Sequence, residues 1–302
     1  MSIFKRIFCI FVILSISLFT GCGKNNDDSK LSDLGGVYDT SMNDMDFSIE
    51  VSGMMSDGVI EGTADSVQTL SQDSGSKLLR WGISRKPENK TPDADPGAPQ
   101  LLSKYGAMYI GDTTKKRIYL TFDEGYENGY TSKILDSLKN NNAKGLFFIT
   151  GPYLKEQESL VTRMVQEGHE VGNHTIHHPS LPTIDDRQIE EEVAGLERVF
   201  NEKYGKKMKY LRPPKGEYSE RSLAVTKRLG YVNLFWSFAY DDWHRDKIRG
   251  PEYAYNMVMK NLHNGAVLLL HAVSKDNADA LDMIIKGAKE KGYEIGDPSK
   301  IE

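Results

Sequence analysis

Seven short apolar segments, separated by polar turns and six amphipathic stretches, predict an α/β fold built on a parallel sheet with crossover helices. Two observations carry this. Runs rich in β-branched, aromatic and aliphatic residues alternate with stretches whose apolar residues recur every three and four positions. Those amphipathic stretches also stop at Gly or Asn, residues that tolerate the left-handed backbone of a helix end. Parallel neighbours need a crossover, so the alternation implies strand–helix–strand units. Seven strands are compatible with closure into a barrel; a doubly wound open sheet is the alternative.

The first strand is Arg117 to Asp123, where Ile118, Tyr119, Leu120, Thr121 and Phe122 run into the adjacent carboxylates Asp123 and Glu124 and then Gly125. Further strands are expected at Gly145 to Thr150, Glu170 to Thr175, Lys209 to Pro213, Val232 to Phe238 and Ala266 to His271, with a short one at Tyr293 to Ile295. Helical faces lie between them. They are marked by Ile134, Leu135 and Leu138; by Leu160, Val161, Met164 and Val165; and by Ile189, Val193, Leu196 and Phe200. Three more follow at Leu223 to Leu229, Tyr253 to Leu262, and Leu281, Ile284, Ile285 and Ala288. Their stops are Asn142, Gly168, Gly205, Gly230, Asn264 and Gly292.

What precedes the strands has a different character. Lys5 and Arg6 introduce an apolar run from Ile7 to Thr20, then Gly21 and Cys22. A spanning helix needs about 20 apolar residues, so this shorter run fits the core of a secretory signal, residues 1–21. Leu18, Phe19, Thr20, Gly21 and Cys22 resemble a bacterial lipoprotein cleavage site, with Phe19 where leucine is commoner. That resemblance implies lipidation of Cys22 and an exported protein tethered to the outer face of the cell membrane.

Residues 22–77 are Ser-, Asp-, Asn- and Gly-rich, with apolar islands too sparse to close a core, and read as an acidic disordered tether. Such a chain reaches on the order of 40 Å root-mean-square. Its simplest role is spacing, and a protein partner for it stays open. Removing the signal takes away Lys5 and Arg6 but no acid, so the formal charge moves from −5 to −7. An acidic product without a basic stripe is a poor nucleic-acid binder. Cys9 leaves with the signal, and Cys22 alone forms no internal disulfide. The remaining residues, 78–302, read as one folded domain, and a chain with 39% hydrophobic content suffices to build its core. A proline-rich lead-in, Leu78 to Tyr105, is mostly irregular and packs Trp81 on the domain.

The polar residues gather at strand ends. Asp123 and Glu124 follow the first strand, His174, His177 and His178 the third, Arg212 the fourth, Asp241 and Asp242 the fifth, and His271 ends the sixth. All lie at carboxyl ends of parallel strands, the face on which α/β folds assemble their sites. In HTIHH the histidines four apart can meet one metal, although such a pair alone is weak evidence. His169 and His263 sit beside helix ends and read as partners of the helix dipole. Arg212 to Gly216 is a rigid turn that shapes a loop or aims a guanidinium at a carboxylate. Asp241, Asp242 and Trp243 could form a solvated turn with a packed indole, whereas a buried strand ending in His271 is harder to explain structurally.

Five stretches in order, TFDEG from Thr121, HTIHH from His174, RPPKG from Arg212, DDW from Asp241 and LLLH from Leu268, resemble the polysaccharide deacetylase family, the NodB type of carbohydrate esterase family four. The resemblance covers roughly residues 79–296 and implies a distorted (β/α) barrel and metal-assisted removal of N-acetyl groups from amino sugars. By position, Asp123 is similar to the general base, His174, His178 and Glu124 to the ligands of a divalent metal such as zinc, and His271 to the general acid. Arg212 is similar to the partner of the base, Asp242 to the residue that tunes the acid, and Lys215 and Trp243 to substrate-binding residues.

WGISRKPENKTPDADPG, GYENGYT, RPPKGEYSE and HAVSKDNADALD resemble more narrowly the subgroup that forms muramic δ-lactam in spore cortex. That subgroup acts on peptidoglycan strands, at N-acetylmuramate residues freed of their stem peptide. Two departures stand out: Glu124 replaces the family's second aspartate, and Ala239 the first aspartate of the fourth motif. A broader N-acetylglucosamine or chito-oligosaccharide deacetylase is the second reading. A catalytically silent glycan-binding protein is the third.

Overall fold

The computed structural model describes residues 75–86 and 89–301; the expected signal segment, Cys22 and almost all of the acidic tether lie outside the described residues. The lead-in carries β1 (Leu79–Arg80), β2 (Ile83–Ser84), β3 (Asp93–Ala94) and α1 (Ala98–Lys104). There follow β4 (Arg117–Glu124), α2 (Thr131–Asn140), β5 (Gly145–Ile149), α3 (Gly151–Glu156), α4 (Glu158–Gln166), β6 (Glu170–Asn173) and α5 (Asp186–Tyr204). The second half holds β7 (Tyr210–Leu211), β8 (Glu217–Tyr218), α6 (Glu220–Arg228), β9 (Val232–Asn233), α7 (Pro251–Asn261), β10 (Ala266–His271), α8 (Lys275–Glu290) and β11 (Glu294–Ile295).

Seven strands form one parallel sheet in the order β10-β4-β5-β6-β7-β9, with β11 paired to the first residues of β4. The gap between the two ends of this order is narrowed by the chain leaving β9. Phe238 forms a parallel bridge with Leu268 of β10, where Leu269 N–H donates to Phe238 O at 2.8 Å. The result is the expected distorted barrel rather than a flat open sheet. The strand expected over Val232 to Phe238 keeps regular pairing only at its first two residues; the rest crosses toward β10 as this single bridge.

Strand pleat explains the layers. On β4, Ile118, Leu120 and Phe122 join the large cluster that includes Ile134, Leu135 and Leu138 of α2 and Ile284 and Ile285 of α8. Tyr119, between them, belongs instead to a cluster with Leu146, Phe148, Tyr210 and Val267, inside the sheet's curve. Successive side chains point to opposite faces, so odd-numbered residues of β4 face inward and even-numbered ones face the helices. On β10 the same rule puts Val267 inside and Ala266, Leu268 and Leu270 under the helices.

The helix with the most complete sequence signature is α5. Asp185 and Gln188 form a capping box, Gly205 ends it at φ 64°, and Ile189, Val193, Leu196 and Phe200 are buried at its three- and four-residue spacing. Trp81 packs as expected: it is buried, and its indole N–H donates to Trp236 O at 2.9 Å. The lead-in is less irregular than its prolines imply, because Pro99 stands at the first turn of α1, where its missing N–H costs nothing. Helix α3 also went unread, for a similar reason: Pro152 opens it behind the Thr150 cap.

Candidate active site

Asp123 is the last inward-facing residue of β4, beside His271 of β10 and Phe148 of β5 in register. Its Oδ1 accepts from Arg212 Nη1 at 2.7 Å, and its Oδ2 lies 3.7 Å from His174 Nε2. Burial alone would raise its carboxyl pKa, but the Arg212 guanidinium, His174 and His271 hold it below the usual value. The base-like residue is therefore ionised.

Arg212 is completely buried, which demands a partner for every donor group. Besides Asp123 it donates from Nε to Leu234 O at 3.0 Å and from Nη2 to Thr121 Oγ1 at 2.9 Å and Phe235 O at 3.3 Å. Its guanidinium carbon lies 4.2 Å from the Phe148 ring centroid. This fork, fixed on several sides, can hold Asp123 in one orientation.

The HTIHH turn is backbone under strain. Thr175 and His178 adopt φ of 68° and 58°, a region that non-glycine residues, and β-branched ones above all, rarely occupy. Thr175 N–H donates to Asn173 Oδ1 at 2.8 Å, His178 N–H to Thr175 Oγ1 at 3.0 Å, and Ile176 N–H to Glu192 O at 3.1 Å. These bonds bring His174 Nε2 and His178 Nε2 to 3.1 Å from each other. His177 points away, with Nδ1 2.6 Å from Glu192 Oε1.

His174 Nδ1 lies 2.9 Å from Arg212 O, a carbonyl that only accepts, so Nδ1 carries the proton and Nε2 offers its lone pair. Burial pulls the pKa of both imidazoles down, His178 well below its ordinary value with His174 adding to the effect, which keeps them neutral. Two neutral ring nitrogens converging at a buried, carboxylate-flanked spot fit a divalent cation. No set of three or more His, Cys, Asp or Glu converges as a metal cage among the described residues.

On the opposite side of Asp123, His271 Nδ1 is 2.7 Å from Asp242 Oδ1, and its backbone N–H donates to Asp242 Oδ2 at 2.9 Å. Asn277 Nδ2 donates to the same Oδ2 at 2.6 Å and to His271 O at 3.1 Å. Burial lowers the His271 pKa, but Asp242 more than offsets this and the net shift is upward. Asp123 and His271, paired across neighbouring strands, are thus pushed in opposite directions, one toward the ionised carboxylate and the other toward imidazolium.

Glu124 requires a correction. As an even-numbered residue of β4 it turns to the helix side, where its Oε2 is 3.5 Å from Thr131 Oγ1 and its Oε1 has no hydrogen-bond partner. Burial, with Glu127 adding to it, raises its pKa well above the ordinary glutamate value. The structure therefore does not bring Glu124 to the two imidazoles as a third ligand. Burial also alters two other expectations: His169 is buried, with Nδ1 accepting from Gly145 N–H at 3.2 Å and its pKa pushed down to about 4, so it is no dipole-balancing cation. His263 does reach Asn261 O at the end of α7, but it is buried with its pKa lowered by burial, and Nε2 meets Ser237 Oγ at 2.9 Å.

Trp243 is half-buried, with its ring 5.8 Å from the His271 ring. Lys215 is half-buried in the left-handed region, at φ 58°, close enough to His178 to depress that imidazole. Asp241 is turned away from the centre and pairs with Arg249 and Lys247. Two supporting residues were given no role by the sequence: Thr121, which opens the TFDEG stretch and shares the inward parity of Asp123, and Asn277, which lies in HAVSKDNADALD and which the first turn of α8 brings against Asp242.

The polysaccharide deacetylase family profile matches residues 110–234. Peptidoglycan-N-acetylmuramic acid deacetylase PdaA of Bacillus subtilis is 47% identical over 216 residues, covering 71% of this chain and 82% of that protein. The solved structure of Bacillus subtilis PdaA, a family 4 carbohydrate esterase, superposes with a TM-score of 0.73 at 45% identity, over 75% of this chain and 97% of that one. A family 4 carbohydrate esterase from Bacillus anthracis gives a TM-score of 0.64 at 42% identity, over 76% and 98% of the two chains. With fold, ordered motifs and site in agreement, the chain belongs to the polysaccharide deacetylase family, family 4 of the carbohydrate esterases. It is a hydrolase of amide bonds.

Proposed function

We propose that the protein removes the N-acetyl group from N-acetylmuramic acid residues of peptidoglycan strands that have lost their stem peptide. The observation that carries the reaction is the pairing of Asp123 and His271 across β4 and β10 with opposed protonation. The substrate class follows from the name of the Bacillus subtilis relative at 47% identity.

In this reading Asp123 is the general base, oriented by Arg212, and His271 the general acid, oriented by Asp242. His174 and His178 would hold a divalent cation such as zinc, which would lower the pKa of a water and polarise the acetyl carbonyl. A water oxygen bonds to the carbonyl carbon as Asp123 takes its proton. The carbon–nitrogen bond breaks as His271 delivers a proton to the leaving nitrogen, and acetate and a free amine result. In the same reading the backbone N–H near Lys215 steadies the developing oxyanion, and Trp243 supplies a stacking face for the sugar. The freed amine then closes on the lactyl carboxylate with loss of water to give muramic δ-lactam, as in spore cortex. We place the protein at the outer face of the cell membrane, tethered through lipidated Cys22, a reading that rests on residues 1–22 of the sequence.

The test is to incubate the purified protein with peptide-stripped muramate glycan and with chito-oligosaccharides, each with and without chelator, and to assay acetate, free amine and lactam. Acetate and amine from the muramate glycan, lost on chelation and restored by zinc, support the proposal. Preferential deacetylation of chito-oligosaccharides would favour the broader reading.

A further inference from the structure

We propose that Arg245, stacked on Tyr126 above the end of β10, recognises the lactyl carboxylate and selects muramate over glucosamine. The inference rests on the muramate reading above and adds the residue that would make the choice.

The two sugars differ at one place. Muramate carries a lactyl ether, with its carboxylate, on the ring carbon next to the one that bears the acetamido group. A site that reacts at the acetamido group therefore holds the lactyl group beside the reacting centre, and the loop flanking His271 is one wall of that centre. Discrimination by charge needs a cation there, and guanidinium, with its fork of donors, suits a carboxylate best.

Residues 241–250 form the loop that flanks His271 on one side, and it carries three cations of fixed charge, Arg245, Lys247 and Arg249. Two are tied down. Asp241 pairs through Oδ2 with Lys247 Nζ at 2.5 Å and through Oδ1 with Arg249 Nη1 at 2.8 Å, while Arg249 N–H donates to Asp276 Oδ2 at 2.7 Å. Arg245 makes no ion pair among the described residues. Its guanidinium carbon instead lies 3.9 Å from the Tyr126 ring centroid, and the side chain is exposed.

Topology places this contact over the acid. β10 has β4 on one side and the Phe238 bridge on the other. Tyr126 comes from the turn after β4, and Arg245 from the loop after Phe238, so their stack crosses above the strand end that carries His271. The turn that holds Tyr126 is itself anchored: Asn128 Nδ2 donates to Val273 O at 3.0 Å and Thr150 Oγ1 to Gly125 O at 3.2 Å. Contact with the ring holds the guanidinium in place without consuming its N–H donors. An arginine pre-positioned in this way needs less ordering when a carboxylate arrives.

The experiment compares peptide-free muramate glycan with the same glycan whose lactyl carboxylate has been converted to a neutral methylamide, using the full-length protein, Arg245→Gln, Arg245→Lys and Tyr126→Leu. The wild type is expected to prefer the free carboxylate. Arg245→Gln should raise KM for it about tenfold or more with kcat little changed, and bring the two glycans to equal kcat/KM. Arg245→Lys should keep part of the preference, and Tyr126→Leu should weaken it. A wild type that prefers the free carboxylate while Arg245→Gln keeps that preference overturns this inference alone. A wild type that deacetylates chito-oligosaccharides and neither muramate glycan overturns the muramate reading and this inference together.

Discussion

One carboxylate of Asp242 holds His271 twice, through the ring Nδ1 at 2.7 Å and through the backbone N–H at 2.9 Å. The first contact fixes the ring orientation and favours imidazolium; the second fixes where the ring is attached. Replacing Asp242 with Asn removes the charge that offsets burial, so the His271 pKa falls and less acid is protonated at a given pH. The alkaline limb of kcat/KM against pH is expected to move to lower pH, with at least a tenfold loss at pH 8. An unmoved limb would reject His271 as the group titrated there.

Arg212 and Asp123 form a buried pair, and removing one member leaves the other uncompensated. Arg212→Met is expected to cost about 3–5 kcal/mol in urea unfolding. The double variant Arg212→Met, Asp123→Asn should recover part of that, because the orphaned charge is gone as well. Strict additivity would mean the pair is not coupled.

Glu124 is expected to be dispensable for metal binding. Glu124→Gln, which resembles the protonated carboxyl favoured by burial, should leave metal stoichiometry unchanged, whereas His174→Ala and His178→Ala should each lower it. Metal content by elemental analysis decides the matter. Loss of metal in Glu124→Gln would restore the glutamate as a ligand.

His169 makes stability depend on pH. Its folded pKa of about 4 lies below the ordinary value of 6.5, so the unfolded chain binds the extra proton first as pH falls. Its full contribution is present above pH 6.5 and is lost between there and pH 4, about 2 kcal/mol of it by pH 5. His169→Gln, whose amide oxygen can still accept from Gly145, should flatten the unfolding free energy between pH 7 and pH 5. An equally steep loss in the variant would assign the slope to other groups.

The sequence exposed what depends on local pattern. β10 ends at His271 as its apolar run implied, and the histidines four apart do converge, since a tight turn needs only local bonds. The face on which Glu124 falls was also readable in principle: the two-residue strand period sets it opposite Asp123, and family position was the weaker guide. Other relationships lie beyond local pattern. Asn277 reaches Asp242 from 35 residues away, and Tyr126 meets Arg245 only because the chain after Phe238 turns back to β10. Such contacts follow from how the sheet curls, which no spacing along the chain encodes.

The central claim is tested most directly by kcat/KM for acetate release from peptide-free muramate glycan, in the wild type and in Asp123→Asn and His271→Ala variants shown to be folded. The account predicts chelator-sensitive turnover in the wild type and a loss of at least a hundredfold in each variant. Near-wild-type acetate release from either folded variant would contradict it.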